Sequence, residues 1–309
     1  MNKKILIIQL RPGLGDLCMF LPRCHEIALA NKNFEITLLT KENTKAKFLL
    51  KNDPYIHKIK YIDKNKIKIS FFKLFKFFKS ENFDIVYSYQ YGPKYLKYFL
   101  LSKLTGVKKY YFYGIFKKKE CMTQRAIVAN EKWLKTKITS RVGKIYLKDN
   151  DIKYNNKYII GIGASGDNKR WPIKNFLNLI SYLNKFQNDG FILAGGPGEK
   201  QIIKLIIDSF PNIIFDSLEN LNIEECIDKI KGGKIFVGND TGFMHICACL
   251  GIKTFCLYGD TPSEDAQYNE NIVPILPLNK KYIYHDDRLM DQIKIEDVIR
   301  EIIYHLNQK

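Results

Sequence analysis

Short apolar runs alternate with amphipathic stretches along the whole chain. Lys4–Leu10 is an apolar run that ends at Arg11-Pro12-Gly13 and predicts a strand, and a helical pattern follows from Asp16 to about Ala30. Glu35–Leu39 predicts the next strand, with a helix from about Glu42. Strand-like runs recur at Ile56–Ile62, Ile85–Tyr89 and Tyr110–Tyr113. Residues 69–80 form one further helix, because Phe71, Leu74, Phe75 and Phe78 fall on a single face while Lys73, Lys76 and Ser80 fall opposite. Leu147–Lys157 is polar and breaks the pattern. A fresh alternation then starts: strands at Tyr158–Gly163, Phe191–Ala194, Ile213–Phe215, Ile235–Val237 and Thr254–Leu257, and helices from about Ile173, from about Gly198, at Ile223–Ile230, at Gly242–Leu250 and at Ile295–Leu306. Strands alternating with helices argue for parallel sheets covered on both faces. Two such arrays predict an α/β chain of two Rossmann-like domains facing a central cleft, residues 1–150 and 151–290, with a last helical segment over 291–309.

Charge separates the two arrays more sharply than hydropathy does. Residues 1–150 hold 32 Lys+Arg against 11 Asp+Glu, a balance of +21, while residues 151–309 hold 18 against 21, a balance of −3. Lysine richness alone does not explain why carboxylates keep pace with the cations only after residue 150, so the first domain is expected to meet a polyanion. The helix over 69–80 sharpens this. Its apolar face fits a core, yet Phe72 and Phe77 widen the apolar arc beside the lysines, as in helices that lie on membrane surfaces. Tyr95-Leu96-Lys97-Tyr98, Lys108-Lys109-Tyr110-Tyr111 and Lys117-Lys118-Lys119 repeat that chemistry, and Arg125 and Arg141 are further cations open to acceptor phosphates. No apolar run approaches the roughly 18 residues of a spanning helix, and the six-residue N-terminal run is too short for a signal peptide, so a cytoplasmic protein is expected, with the inner face of the membrane as a surface it can visit. The seven cysteines form no C-x-x-C pair and read as reduced thiols.

Candidate chemistry sits where strands give way to helices. In Gly238-Asn239-Asp240-Thr241-Gly242-Phe243-Met244-His245, Asp240 is expected to cap the following helix, and Thr241 and Gly242 to offer backbone N–H groups to a phosphate. Gly163-Ala164-Ser165-Gly166-Asp167-Asn168-Lys169-Arg170-Trp171-Pro172 places a hydroxyl, Ser165, and a point charge, Lys169, in a small-residue turn that suits a diphosphate. Ala194-Gly195-Gly196-Pro197-Gly198-Glu199 is a third glycine turn, and Asp216, just past a predicted strand, is a candidate for a ribose hydroxyl. In the first domain, Gly13 and Gly15 make an incomplete dinucleotide fingerprint, with Cys18 where a third small residue belongs. Asp16 opens the helix there, positioned either to cap it or to take a proton from an acceptor hydroxyl.

Gly15-Asp16 with Pro22, Lys169-x-Trp171-Pro172, and Asp240-Thr241-Gly242-x-x-His245 with Gly251 and Thr254–Tyr258 resemble glycosyltransferase family 9, the ADP-heptose:lipopolysaccharide heptosyltransferases. The resemblance runs through almost the whole chain in order. It implies a GT-B fold, inverting transfer of a heptose or related sugar from an ADP-sugar to a lipopolysaccharide core acceptor, and no metal or other cofactor. It implies Asp16 as catalytic base, Ser165 and Lys169 at the donor phosphates, Asp240 at the donor sugar, and Thr241 and Gly242 as amides at the diphosphate, with His245 completing the donor motif. Asp216 stands where the family usually has a ribose-binding Glu, and Gly166 where some members carry a cation, so the choice of sugar or acceptor is expected to differ from theirs. The last helix is expected to cross back onto the first domain. The partners implied are a nucleotide-diphosphate sugar, a lipid-linked anionic saccharide and the anionic inner-membrane surface, and not nucleic acid. The residues themselves agree on the metal: the only D-x-D, Asp149-Asn150-Asp151, lies in the predicted linker, away from any diphosphate turn.

Two other classes compete. An NAD-dependent oxidoreductase would use the Gly13-x-Gly15 turn, but the end of the second strand offers only Glu42 for the ribose. A non-catalytic polyanion-binding protein would use the basic half, but leaves the turns at 163–172 and 238–245 without a purpose.

Overall fold

The computed structural model describes residues 3–62, 71–114, 121–138, 142–148, 156–186 and 188–307. Asp149-Asn150-Asp151, Lys117–Lys119, Arg141 and the first two positions of the predicted 69–80 helix lie outside them. The chain divides into two compact units, Met1–Tyr146 and Leu147–Lys309.

In the first unit, strands β1 (Lys3–Ile8), β2 (Phe34–Lys41), β3 (Lys58–Ile62), β4 (Ile85–Tyr91) and β5 (Lys109–Gly114) alternate with helices α1 (Leu14–Ala30), α2 (Ala46–Leu49), α3 (Phe71–Glu81), α4 (Leu96–Leu104) and α5 (Met122–Leu134). The strands are parallel and ordered β3-β2-β1-β4-β5, so the winding reverses between β1 and β4. Leu6, Ile8 and Val86 of the sheet pack with Leu74 and Phe78 of α3 and with Tyr98 and Leu101 of α4. On the opposite face a polar network sits in the core. Tyr89 Oη donates to Asn130 Oδ1 (2.6 Å), and Asn130 Nδ2 donates to Arg23 O and Glu26 Oε2 (both 2.9 Å). Arg23, 1% exposed, is paired with Glu26. These groups hydrogen-bond to one another, which offsets the cost of keeping them out of water.

The second unit repeats the plan with β6 (Tyr158–Gly161), α6 (Ile173–Leu183), β7 (Phe191–Ala194), α7 (Lys200–Ser209), β8 (Phe215–Ser217), α8 (Ile223–Ile230), β9 (Ile235–Asn239), α9 (Gly242–Cys249), β10 (Lys253–Leu257), β11 (Ile272–Ile275) and α10 (Ile295–Leu306). Its parallel order is β11-β10-β9-β6-β7-β8, with the reversal between β6 and β9. Gly161 and Gly238 are opposite partners in that pair. A Cβ on Gly238 would lie 2.2 Å from Gly161 O, so only glycine lets these two strands approach as they do. The apolar face of the last helix packs within the second unit. The buried apolar residues of α10, Val298 and Ile302, belong to the same core as Phe255, Leu257 and Phe176, all in the second unit. Its apolar face is thus committed to the unit it follows, because β10 and β11 would otherwise be uncovered on that side.

Candidate functional site

Ligands of wound α/β sheets bind at the carboxyl ends of strands, at the reversal of strand order. In the second unit that point is occupied by Ile162–Gly163 after β6 and Asn239–Asp240 at the end of β9. Asn239, fully buried, joins them: its Nδ2 donates to Ile162 O (3.2 Å) and Gly163 O (3.0 Å), and its Oδ1 accepts from Trp171 N (3.0 Å). Trp171, also fully buried, is fixed at its other end by Nε1 donating to Ile293 O (2.8 Å). The Lys169-x-Trp171-Pro172 motif therefore divides its labour. The indole is a peg that holds the loop, and the lysine two residues earlier is left half-buried beside Asp240.

Asp240 does not cap α9. Thr241 is the N-cap, its Oγ1 accepting from Met244 N at 3.5 Å. That leaves the Asp240 carboxylate to other partners: His245 Nε2 lies 3.5 Å from Oδ1, and His245 Nδ1 is 2.8 Å from Tyr268 Oη. Burial acts to raise the Asp240 pKa, but His245, Lys169 and Thr261 together hold it below the ordinary carboxylate value. A carboxylate kept ionised at the end of β9, with Gly242 opening the next helix, is a fixed acceptor beside a set of donors.

The glycine turn after β7 joins the same edge. Gly163 lies against Gly195, a Cβ built on the former falling 3.6 Å from the latter's Cα. Glu199, 9% exposed, accepts from Gly196 N (2.8 Å) and from Arg170 Nη2 (3.0 Å). Ser165 is exposed in the loop between. Asp216 is placed elsewhere. It lies inside β8 rather than beyond it, level with Ile192, and its carboxylate is tied to Lys157 (2.6 Å), which precedes β6, and to Lys229 of α8 (3.2 Å). Although burial opposes it, these two lysines lower its pKa, marking a structural ion pair near the amino ends of the strands. Glu199, by contrast, is an acid at the carboxyl ends of the strands, which sequence reasoning passed over although the turn containing it was recognised.

In the first unit, Gly13 takes φ +108° and is the residue before α1, with no side chain capping the helix. Gly15 follows in the first turn. Asp16 is likewise no cap: its Oδ1 accepts from Arg11 Nε at 2.7 Å, and its side chain is 17% exposed. Asp16 and Arg11 thus make one ion pair at the carboxyl end of β1, while Ser165, Lys169, Asp240, Thr241, Gly242 and His245 gather at the carboxyl ends of β6 and β9. Among the described residues no group of three His, Cys, Asp or Glu side chains is arranged to hold a metal.

A model of glycosyltransferase family 9 (heptosyltransferase) matches residues 28–285. The chain belongs to glycosyltransferase family 9. It is 27% identical over 154 residues to lipopolysaccharide heptosyltransferase 1 of Campylobacter coli, a match covering 46% of this chain and 44% of that protein, so it spans about half the length of this curated relative. Among solved structures, E. coli ADP-heptose LPS heptosyltransferase II superposes with a TM-score of 0.74 at 18% identity, covering 99% of each chain. A family 9 glycosyltransferase from Veillonella parvula gives 0.77 at 18%, covering 100% of this chain and 99% of that one. E. coli heptosyltransferase WaaC with ADP gives 0.71 at 17%, covering 97% and 99%. The fold of each unit is the one expected of the GT-B class.

Proposed function

We propose that this family 9 glycosyltransferase moves a heptose or related sugar from an ADP-sugar to a lipid-linked anionic saccharide of the lipopolysaccharide core, by single inverting displacement and without a metal. The observation that carries the reading is the convergence of three strand-end turns on Lys169 and Asp240, with Asn239 binding two of them together. Such an edge suits a diphosphate: Thr241 and Gly242 supply helix N-terminal amides, Ser165 a hydroxyl and Lys169 the countercharge to the departing ADP. Asp240 accepts from the donor sugar's hydroxyls, and Glu199, in place of Asp216, is the carboxylate for the ribose. Asp16 takes the proton of the acceptor hydroxyl as that oxygen bonds the anomeric carbon and the bond to the diphosphate breaks. Arg11 keeps Asp16 oriented until the hydroxyl arrives. Family membership displaces the oxidoreductase and non-catalytic readings. The structure of WaaC holding ADP supports adenine as the donor base.

The membrane reading has a specific surface behind it. α3 buries Leu74 and Phe78 but leaves Phe72 73% exposed, and α4 leaves Leu100 and Leu104 at 50% and 57%. Exposed apolar side chains among lysines fit an anionic leaflet. No helix among the described residues is long and apolar enough to cross one.

Thermal-shift titration with ADP-, GDP- and UDP-sugars tests the donor. The ADP-sugar is expected to raise the melting temperature most, and an equal response to all three sinks the ADP assignment. Asp16→Asn should cost about 10²–10⁴ in turnover with donor binding nearly unchanged.

A further inference from the structure

The carboxylate at the end of β9 is held by side chains from two later parts of the chain, α9 and the loop after β10. Asp240 Oδ1 lies 3.5 Å from His245 Nε2, and the Thr261 hydroxyl bonds the same carboxylate. His245, on α9 and 6% exposed, meets Tyr268 at its other ring nitrogen: Nδ1 is 2.8 Å from Tyr268 Oη, and the two ring centres are 5.6 Å apart. Tyr268 is 1% exposed and closes the short helical turn Ser263–Tyr268, which follows β10. Phenol, imidazole and carboxylate thus form one chain of polar contacts.

The segment behind Tyr268 is tied to the helix that carries His245. Asn271 Nδ2 donates to Ala248 O (3.1 Å), Asn269 Nδ2 reaches Cys249 Sγ (3.9 Å), and Asn269 Oδ1 accepts from Asn271 N (3.0 Å). Ala248 and Cys249 lie one turn beyond His245 on α9, so the phenol and the imidazole are held in register.

An imidazole with one proton donates from one nitrogen and accepts at the other, and the partner of one nitrogen decides which. Although burial opposes it, His245, Lys169 and Thr261 hold Asp240 ionised, and an ionised carboxylate only accepts. The nitrogen facing it must therefore carry the proton. Nδ1 is then a lone pair, and the hydroxyl 2.8 Å away is the donor it needs. The opposite tautomer would set a lone pair against the carboxylate and turn it away. At 3.5 Å the Nε2 proton is too far for a short direct bond, so it orients the carboxylate by its charge and leaves lone pairs for other donors.

We propose that Tyr268 is a positioning residue for recognition of the donor sugar: its hydroxyl donates to His245 Nδ1, fixes the imidazole proton on Nε2, and so aims the Asp240 carboxylate. This rests on reading Asp240 as the group that meets the donor sugar, and adds the residue, from outside the strand-end turns, that orients it. Tyr268 touches no substrate; it acts through His245.

The first test is nitrogen NMR of the whole protein with isotope-labelled histidine. The chain has five histidines, and the His245 signals are those missing from His245→Gln. Long-range proton–nitrogen spectra at neutral pH should show a protonated Nε2 and an unprotonated Nδ1. A proton on Nδ1, alone or together with one on Nε2, overturns the proposal. The second test is a cycle of four proteins, wild type, Tyr268→Phe, Asp240→Ala and the double variant, each titrated with ADP and with the ADP-sugar. Tyr268→Phe removes one oxygen and keeps the buried ring. It should weaken ADP-sugar binding about 3- to 10-fold, the worth of one hydrogen bond, and leave the affinity for ADP, which lacks the sugar, within about twofold. In the Asp240→Ala background the same substitution should cost less than about twofold, because the group it orients is absent. A full loss in both backgrounds, or an equal loss for ADP, would mean a structural role and overturn the proposal. If the wild-type protein binds no ADP-sugar, the transferase reading itself fails; if it binds one and the proton or the coupling is misplaced, only Tyr268 loses its role.

Discussion

Asp240 shows how much a single carboxylate depends on its neighbours. Its folded-state pKa lies below the ordinary value near 3.9 because His245, Lys169 and Thr261 outweigh the effect of burial. A depressed carboxylate contributes stability that is present above its unfolded pKa and is lost as pH falls through the lower folded one. Asp240→Asn should therefore be less stable than the wild-type protein by a constant amount at neutral pH, and the gap should close on acidification below about pH 4. Urea midpoints of the two proteins at stepped pH measure it; a gap that persists at the lowest pH where both fold would show that the His245 and Lys169 partnership is not what stabilises the ion. At this scale the sequence was an uneven guide. Asp16, Lys169, Thr241 and His245 are recognisable because a strand end, a glycine and a helix start mark them. Asp240 was recognisable too, but the capping role expected of it falls to Thr241, whose hydroxyl accepts from the helix amide instead. Asp216 was misplaced by a register error. The run Ile213-Ile214-Phe215 looks like a strand, yet Ile214 is 63% exposed and the strand begins only at Phe215. That shift moves the acid from a loop into a ladder. Asn239 and Glu199 are invisible in sequence because their value lies in long-range bonds to Trp171 and Arg170.

Whole elements were legible where periodicity was strong and obscure where packing overrode it. α8 and α10 appear at Ile223–Ile230 and Ile295–Leu306, the limits their patterns predict. α5 was missed because a buried asparagine, Asn130, stands in the apolar stripe formed by Met122, Ala126 and Trp133. α4 was missed because Leu96–Leu104 is apolar nearly all round, and β11 because Pro274 interrupts it. Proline is tolerated there since β11 is an edge strand. Glu42 opens only a short turn before the four-residue α2. α3 resolves an ambiguity the sequence left open. One face enters the core, while Phe71 and Phe72 stay outside among lysines. If that outer face meets an anionic leaflet, Phe72→Ser with Leu104→Ser should weaken binding to vesicles containing phosphatidylglycerol. Lys73→Glu with Lys76→Glu should weaken it by about 1 kcal/mol or more per residue. Co-sedimentation measures both; undiminished binding in the two double variants would remove α3 and α4 as the docking surface.

The two units were legible as a pair of alternating arrays, with their division at Tyr146–Leu147 at the head of the polar stretch. The destination of the last helix was not, because an amphipathic helix advertises an apolar face without saying which core receives it. The charge imbalance of +21 against −3 gives the whole molecule a further testable property. Contacts made through a diffuse positive field weaken as salt shortens its reach, from about 30 Å at 0.01 M to about 8 Å at 0.15 M. Contacts made by amides, a hydroxyl and one close lysine at a half-buried edge are screened far less. Raising salt across that range should therefore reduce vesicle or acceptor association by about tenfold or more, while ADP-sugar affinity changes by about threefold or less. Parallel titrations of both ligands on one preparation decide it. An equal loss for both would mean that the donor is also held by long-range charge, and that the division of work between a basic unit and a nearly neutral one does not extend to binding.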